Sequence, residues 1–403
     1  MPGLESLFTE RIVLIDGAMG TMIQRFDLIE KDFRGDILAE HPIDLQGDND
    51  LLVLTRPDVI EDIHMQYLEA GSDIIETNTF SATSISQAEY GIGHLAADMN
   101  LAAARIAKSA SARHFAETGR QTWVAGSVGP TTVTLSAAAD ADDASSRSHG
   151  WDEVYSSYLE QVTALIEGGC DVILIETIFD VLNAKAAIKA TLDAFDASGI
   201  TLPIIISVTF IQSAGQRTVF GQSVEAFWET VRHAEPLCVG MNCGLGAKEL
   251  ENLLRTFTEL VDTNVHIYPN AGLPDPLSET GFTESEEVTS SVVAELAADG
   301  LVNMVGGCCG TTPSHIRAIA SAIEGMPARS IPVVERVPSY AGLDRFRILD
   351  NTNLAIVGER LNVTGSARFR ALISDQDLES ALSVALDQVR NGANILDVNL
   401  DEG

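Results

Sequence analysis

Short apolar runs alternate with longer stretches whose apolar positions recur at helical spacing, and this alternation begins at Arg11. Ile12 to Ile15 ends in Asp16-Gly17-Ala18-Met19-Gly20, and after a polar insertion the segment from Pro57 to Ala70 reads as a helix with proline at its start. Asp73 to Ile75 is the next strand, ending at Glu76, followed by an Ala-rich helix over about Leu95 to Phe115. Thr122 to Ala125 then ends at Gly126-Ser127. The Ala/Asp/Ser-rich stretch from Ser136 to His149 is a loop by composition. Trp151, Val154, Tyr155, Tyr158, Leu159, Val162, Leu165 and Ile166 form one helical stripe facing a sheet. Further strands are expected at Val172–Ile175, Ile204–Val208, Cys238–Met241, His266–Tyr268 and Val302–Val305. Helices are expected at Asn183–Phe195, Val224–His233, Lys248–Leu260, Glu286–Ala298 and Pro313–Ile323.

That makes eight strand–helix units in roughly 320 residues, within the range of a (β/α)8 TIM barrel of the α/β class. An open doubly wound sheet competes. The barrel is preferred because the count reaches eight and the chemically notable residues fall at strand C-terminal ends, where barrels keep their sites. Residues 1–325 thus form the first module. Pro327, Pro332 and Pro338 mark 326–350 as a linker, and a new βαβ pattern opens residues 351–403. It has a strand at Leu354–Val357, a loop from Gly358 to Ser366, a helix about Asp375 to Arg390 and a strand at Ile395–Val398. Some 50 residues cannot close a second barrel of about 250, so a cut fragment, or a tail that docks elsewhere, is expected.

With 403 residues, 45% of them apolar, a sizeable core is assured. A net charge of −33 opposes binding to nucleic acid or anionic lipid, and no apolar run reaches the roughly 18 residues of a membrane span. Without a basic, apolar leader the chain is expected to be cytoplasmic. Five cysteines, an odd number, fit a metal or catalytic role in a reducing compartment better than a disulfide framework.

Two of those cysteines, Cys308 and Cys309, are adjacent, flanked by glycines, and follow a strand. A neighbouring pair gives at most two ligands, whereas a thiolate zinc site needs three or four. Cys243, in Asn242-Cys243-Gly244, shares the setting, and in an eight-stranded barrel its strand end lies on the same rim. Three thiolates leave one tetrahedral position open, as in catalytic zinc. A buried, merely strained pair is the bland alternative for Cys308 and Cys309. Cys170 and Cys238 lie at strand starts and read as small buried apolar residues. An iron–sulfur cluster would want a fourth cysteine on the rim. The vacancy suits a soft ligand: a thiol of pKa near 8.5 is only about 3% ionised at pH 7, and coordination would hold it as a thiolate ready to attack an electrophilic carbon.

The other strand ends suit a small zwitterion. Asp16, Glu76 and Glu176 can hold an ammonium, and the amides of Gly17, Ala18, Met19 and Gly20 can receive a carboxylate. Each alone is as easily a solvated carboxylate or an ordinary turn. Asn270 can offer its amide oxygen to the metal until substrate arrives, or simply order the Pro269 turn. His315 reads as structural.

Asp16-Gly17-Ala18-Met19-Gly20-Thr21, Asn242-Cys243-Gly244 and Gly306-Gly307-Cys308-Cys309-Gly310 together resemble the homocysteine S-methyltransferase family over about residues 5–325. The resemblance implies that Cys243, Cys308 and Cys309 bind Zn2+ and that the zinc binds homocysteine sulfur. Gly358 to Ser366 and Asp397 to Gly403 resemble the opening of the pterin-binding barrel of the cobalamin-dependent methionine synthases. This implies 5-methyltetrahydrofolate as ultimate methyl donor and methylcobalamin on a module outside this chain. Thr364, Gly365, Ser366 and Asn399 would lie at folate-site strand ends of an incomplete barrel. A stand-alone methyltransferase using S-methylmethionine or a betaine-like donor, and a zinc-dependent thiol-binding module without turnover, are the alternatives.

Overall fold

A computed structural model describes residues 3–401 except 141, 144–145, 212–214 and 276–280; Glu402 and Gly403 of the C-terminal motif, and those parts of the Ala/Asp/Ser loop, lie outside. The strands are β1 (Val13–Leu14), β2 (Ile74–Glu76), β3 (Trp123–Val128), β4 (Val172–Ile178), β5 (Ile204–Val208), β6 (Cys238–Gly246), β7 (Asn264–Asn270) and β8 (Met304–Val305). They form one parallel sheet in the order β1-β8-β7-β6-β5-β4-β3-β2. A parallel bridge between Ile15 and Ile74 joins its two ends. The sheet is therefore a nearly closed (β/α)8 barrel, not the open competitor.

Period-two alternation gives each strand an inner and an outer row. Val13, Ile15, Ile74, Ala125, Val172, Leu174, Ile205, Cys238, Tyr268 and Met304 fill the barrel interior, and Leu4, Leu7 and Phe8 of the helix Leu4–Glu10 pack against them. The outer row, including Leu14, Ile173, Ile175 and Ile206, joins the larger core beneath the helices. Cys238 is buried in the inner core and Cys170 in the outer one. The helices Pro57–Ala70 and Glu286–Ala298 and the strand Ile204–Val208 occupy the residues expected. β6 does not stop at Met241 but runs to Gly246, because a break in register lets it continue past Cys243.

By compactness, residues 3–136 and 149–334 form one unit, and 137–148 with 335–401 another. In the second, the stretch expected to be plain linker contains an antiparallel hairpin, β9 (Ser339–Ala341) with β10 (Arg345–Arg347). A parallel pair follows, β11 (Val357–Asn362) and β12 (Ile395–Asn399). β11 begins at the last residue of the expected strand, Val357, and runs on through Asn362, where loop was expected. The helix predicted over about Asp375 to Arg390 is Leu378–Arg390, and a second helix, Ala367–Ser374, precedes it, started by the Ser366 hydroxyl accepting from the Phe369 amide. Leu361, Val363, Phe369, Ala381 and Val384 make its small core. Among the described residues no helix is long and apolar enough to cross a membrane.

Candidate metal centre and substrate cavity

The C-terminal ends of the barrel strands surround a cavity of about 400 Å3 lined by Asp16 to Thr21, Glu76, Ser127, Glu176, Cys243, Tyr268, Cys308 and Cys309, among others. Cys243 arrives on the bulge in β6 with φ of 58°, a left-handed conformation that L residues adopt under constraint. Gly244 follows at φ 69°, where a Cβ would stand 2.5 Å from the Phe210 carbonyl oxygen. Cys308 and Cys309 come from the loop after β8. That loop can lie so close to Thr311 only because position 307 has no side chain: a Cβ there would sit 2.4 Å from the Thr311 Oγ1.

The three sulfurs converge from 65 residues apart in the chain. Cys243 Sγ lies 3.8 Å from Cys309 Sγ, and Cys309 Sγ 4.0 Å from Cys308 Sγ. All three ligand atoms fall within 4.8 Å of one another. Zinc–sulfur bonds of about 2.3 Å at the tetrahedral angle put sulfurs about 3.8 Å apart, so the donor set fits a zinc ion. Thiol hydrogen bonds from Cys308 and Cys309 pull the Cys243 pKa down, and the same bonds push Cys308 and Cys309 up. The thiols thus oppose one another's ionisation, and a divalent cation is what would let all three ionise. The Asn270 side chain stands against Cys243 and lowers its pKa, while Asn270 Oδ1 is buried without a hydrogen-bond partner. An orphaned amide oxygen beside a cluster of thiols is a further mark of a metal position.

Carboxylates line the same cavity. Asp16 Oδ2 accepts from the Glu76 amide at 3.0 Å, across the joint between β1 and β2, and its Oδ1 is buried with no partner. Glu176 accepts from the Ser127 hydroxyl at 2.5 Å and from the Tyr268 hydroxyl at 3.5 Å. Burial pushes Glu176 up to about 7, and pushes Asp16 and Glu76 well above the carboxylate range. Among the described residues no Lys, Arg or His lines the cavity. Two buried carboxylates, Asp16 and Glu176, with the half-buried Glu76 beside them and no basic partner among the described lining residues, suit a cation from outside.

Of the turn amides expected to receive a carboxylate, Ala18 donates to Thr311 Oγ1 at 3.2 Å. His315 is buried, with Nδ1 against the Thr312 hydroxyl at 3.0 Å. In the second unit the amides of Thr364 and Gly365 donate to Asn362 Oδ1 at 2.8 and 3.0 Å, Ser366 caps a helix, and Asn399 Oδ1 accepts from the Asp401 amide at 2.9 Å. These four residues stand at the C-terminal ends of two paired strands.

Several cavity residues escaped the sequence. Ser127 closes β3 and its position was visible, but nothing marked it as the partner of Glu176. Asp48 and Asp50 sit on the irregular insertion before Pro57, buried and raised to about 6 and about 8 by desolvation. The Asp-Asn-Asp run there reads as turn chemistry and gives no hint of burial.

The homocysteine S-methyltransferase family profile matches residues 13–323, and a profile of pterin binding enzymes matches 358–403. Among solved structures, the metallated form of the homocysteine methyltransferase MmuM from Escherichia coli is 20% identical with a TM-score of 0.59, covering 79% of this chain and 98% of that one. Its oxidized form gives 20%, 0.57, 77% and 95% in the same order. At such identity the likeness establishes the shared fold, and the profile, spanning the whole barrel, establishes the rest: this chain belongs to the homocysteine S-methyltransferase family.

Proposed function

We propose that this chain binds homocysteine and activates its sulfur for methylation to methionine, as the homocysteine-binding part of a cobalamin-dependent methionine synthase. The observation that carries the reading is the convergence of three thiols and three carboxylates, two of them buried, on one cavity. Residues 1–325 would be the homocysteine module, 326–350 the connection, and 351–403 the start of a pterin-binding module, in line with the match over 358–403. Methyl transfer would then draw on methylcobalamin and, ultimately, 5-methyltetrahydrofolate.

Cys243, Cys308 and Cys309 would hold Zn2+, with Asn270 as the fourth ligand before substrate arrives. When bound, the metal supplies Lewis acidity that lowers the pKa of an incoming thiol into the neutral range. The remaining work falls to the chain. Asp16 Oδ1, lacking a partner, takes one ammonium proton; Glu176, oriented by Ser127 and Tyr268, takes another. Glu76 adds negative charge to the same cavity. The amides of Gly17, Met19 and Gly20 receive the substrate carboxylate. Fixed at that end, homocysteine presents its sulfur to the thiols in one orientation, which is the entropic part of the catalysis.

The test is a methyl-transfer assay on the zinc-loaded chain with homocysteine and exogenous methylcobalamin. Methionine should form at a rate proportional to bound zinc. Methionine from S-methylmethionine or a betaine but not from methylcobalamin would overturn the donor assignment. Stoichiometric homocysteine binding without product from any donor would reduce the chain to a thiol-binding module.

A further inference from the structure

β4 and β6 both lose register at their C-terminal ends, β4 between Ile175 and Ile178 and β6 between Asn242 and Gly246. Inside these bulges Thr177 and Cys243 hold φ of 54° and 58°. Bulges re-aim side chains, and these two turn Glu176 and Cys243 into the cavity. β5 lies between them. One side chain bridges all three strands: Asn242, wholly buried. Its Oδ1 accepts from the Ser207 hydroxyl at 2.6 Å and from the Thr177 amide at 3.1 Å. Its Nδ2 donates to Thr177 Oγ1 at 2.8 Å and lies 3.8 Å from Cys308 Sγ. An amide has two lone pairs and two protons to use, and here all are used. Thr177 is gripped twice, through its amide and its hydroxyl, in a conformation it would not adopt unaided.

We infer that Asn242 is a positioning residue that fixes the distance between the ammonium anchor at Glu176 and the sulfur-binding thiols, and thereby selects homocysteine by chain length. The inference rests on the homocysteine reading above. Glu176 immediately precedes the gripped residue, Cys243 immediately follows Asn242, and Cys308 receives the fourth bond of the same amide. Both ends of the substrate site are thus tied to one rigid group. Cysteine, shorter by one methylene, would leave its sulfur about 1.5 Å short, the length of a carbon–carbon bond. A rigid cavity cannot close that gap, and a loosened one can.

The experiment uses the full zinc-loaded chain. Zinc content and the dissociation constants of homocysteine and cysteine are measured by calorimetry for the parent, Asn242→Asp, Thr177→Val and Thr177→Ser. The parent should prefer homocysteine. Asn242→Asp, which cannot donate, and Thr177→Val, which cannot accept, should each lower that preference at least tenfold with about one zinc per chain, whereas Thr177→Ser, which keeps the hydroxyl, should retain it. Thr177→Val leaves the Asn242 contact to Cys308 in place, so it carries the test even where Asn242→Asp sheds metal. A preference within twofold of the parent in zinc-loaded Thr177→Val overturns the inference, as does an equal fall in Thr177→Ser. A parent that binds neither thiol overturns the functional reading itself, which is a distinguishable result.

Discussion

Cys308→Ala tests whether the sulfur cluster holds the metal. The bonds that shape its loop are not made by the thiol: the Cys308 amide donates to the Pro269 carbonyl at 2.7 Å, and the Cys308 carbonyl accepts from the Thr311 hydroxyl at 2.6 Å. Asn242 Nδ2, deprived of the sulfur, keeps Thr177 Oγ1. The fold should therefore lose no more than about 1–2 kcal/mol. Zinc should lose far more. Thiolate zinc sites are worth about 10–16 kcal/mol; shared over four ligands that is about 2.5–4 kcal/mol for one, a factor of roughly 60 to 700 in affinity. Competition against a chromophoric chelator reads the affinity, and circular dichroism reads the fold. Cys243→Ala and Cys309→Ala should match it, while Cys170→Ala and Cys238→Ala, altered inside the apolar cores, should leave zinc affinity unchanged. A folded Cys308→Ala protein with one zinc per chain and an affinity within about threefold of the parent would refute the assignment.

Homocysteine binding should release protons from two sources. The substrate thiol, almost wholly protonated at pH 7, gives up about one. Glu176, raised to about 7 by burial, and Asp16 and Glu76, raised further, are re-ionised by the arriving ammonium and add to that proton. Calorimetry in buffers of different ionisation enthalpy should find more than one proton released in the parent and fewer in Glu176→Gln; identical counts would contradict the ammonium contact. Asp50 makes a stability prediction. Burial and the nearby Asp48 raise it from 3.8 to about 8, so the folded state keeps a proton that the unfolded chain releases. Its contribution is complete below about pH 4 and is lost as pH rises through 8. Asp50→Asn should melt with the parent at pH 4 and above it at pH 9, by an amount on the order of a few kcal/mol; parallel pH profiles would count against it. Gly244→Ala places a Cβ 2.5 Å from the Phe210 carbonyl at a positive φ, and should lower both thermal stability and zinc affinity. Unaltered zinc binding in that variant would separate the β6 bulge from the metal.

How far the sequence reached follows from which features are periodic. Apolar runs such as Ile204–Val208 and the helix opened by Pro57 fell where composition placed them, because burial on two faces or one stripe leaves a repeating mark. Cys243 could be paired with Cys308 and Cys309 from topology alone, since strand ends of a barrel share a rim. The bulges could not be read. Nothing in Glu176-Thr177 announces a positive φ at a threonine, and the tie from Asn242 to Thr177 spans 65 residues. Asp48 and Asp50 were invisible for a different cause: they are buried by an irregular segment folding back on itself, which has no period. The hairpin of Ser339–Ala341 with Arg345–Arg347 hid behind the prolines around it, and the helix Ala367–Ser374 is too short to build a recognisable stripe.

The strand that opens the barrel also closes it. β1 pairs with β8 on one side and meets β2 on the other, and the Ala18 amide finds its acceptor on Thr311, 293 residues downstream. During synthesis, Asp16, Glu76 and Glu176 leave the ribosome long before the vicinal sulfurs do. A nascent polypeptide therefore cannot bring the three sulfurs together, and any cation they are to hold would be captured in full only once translation has passed Cys309 and the last stave has docked.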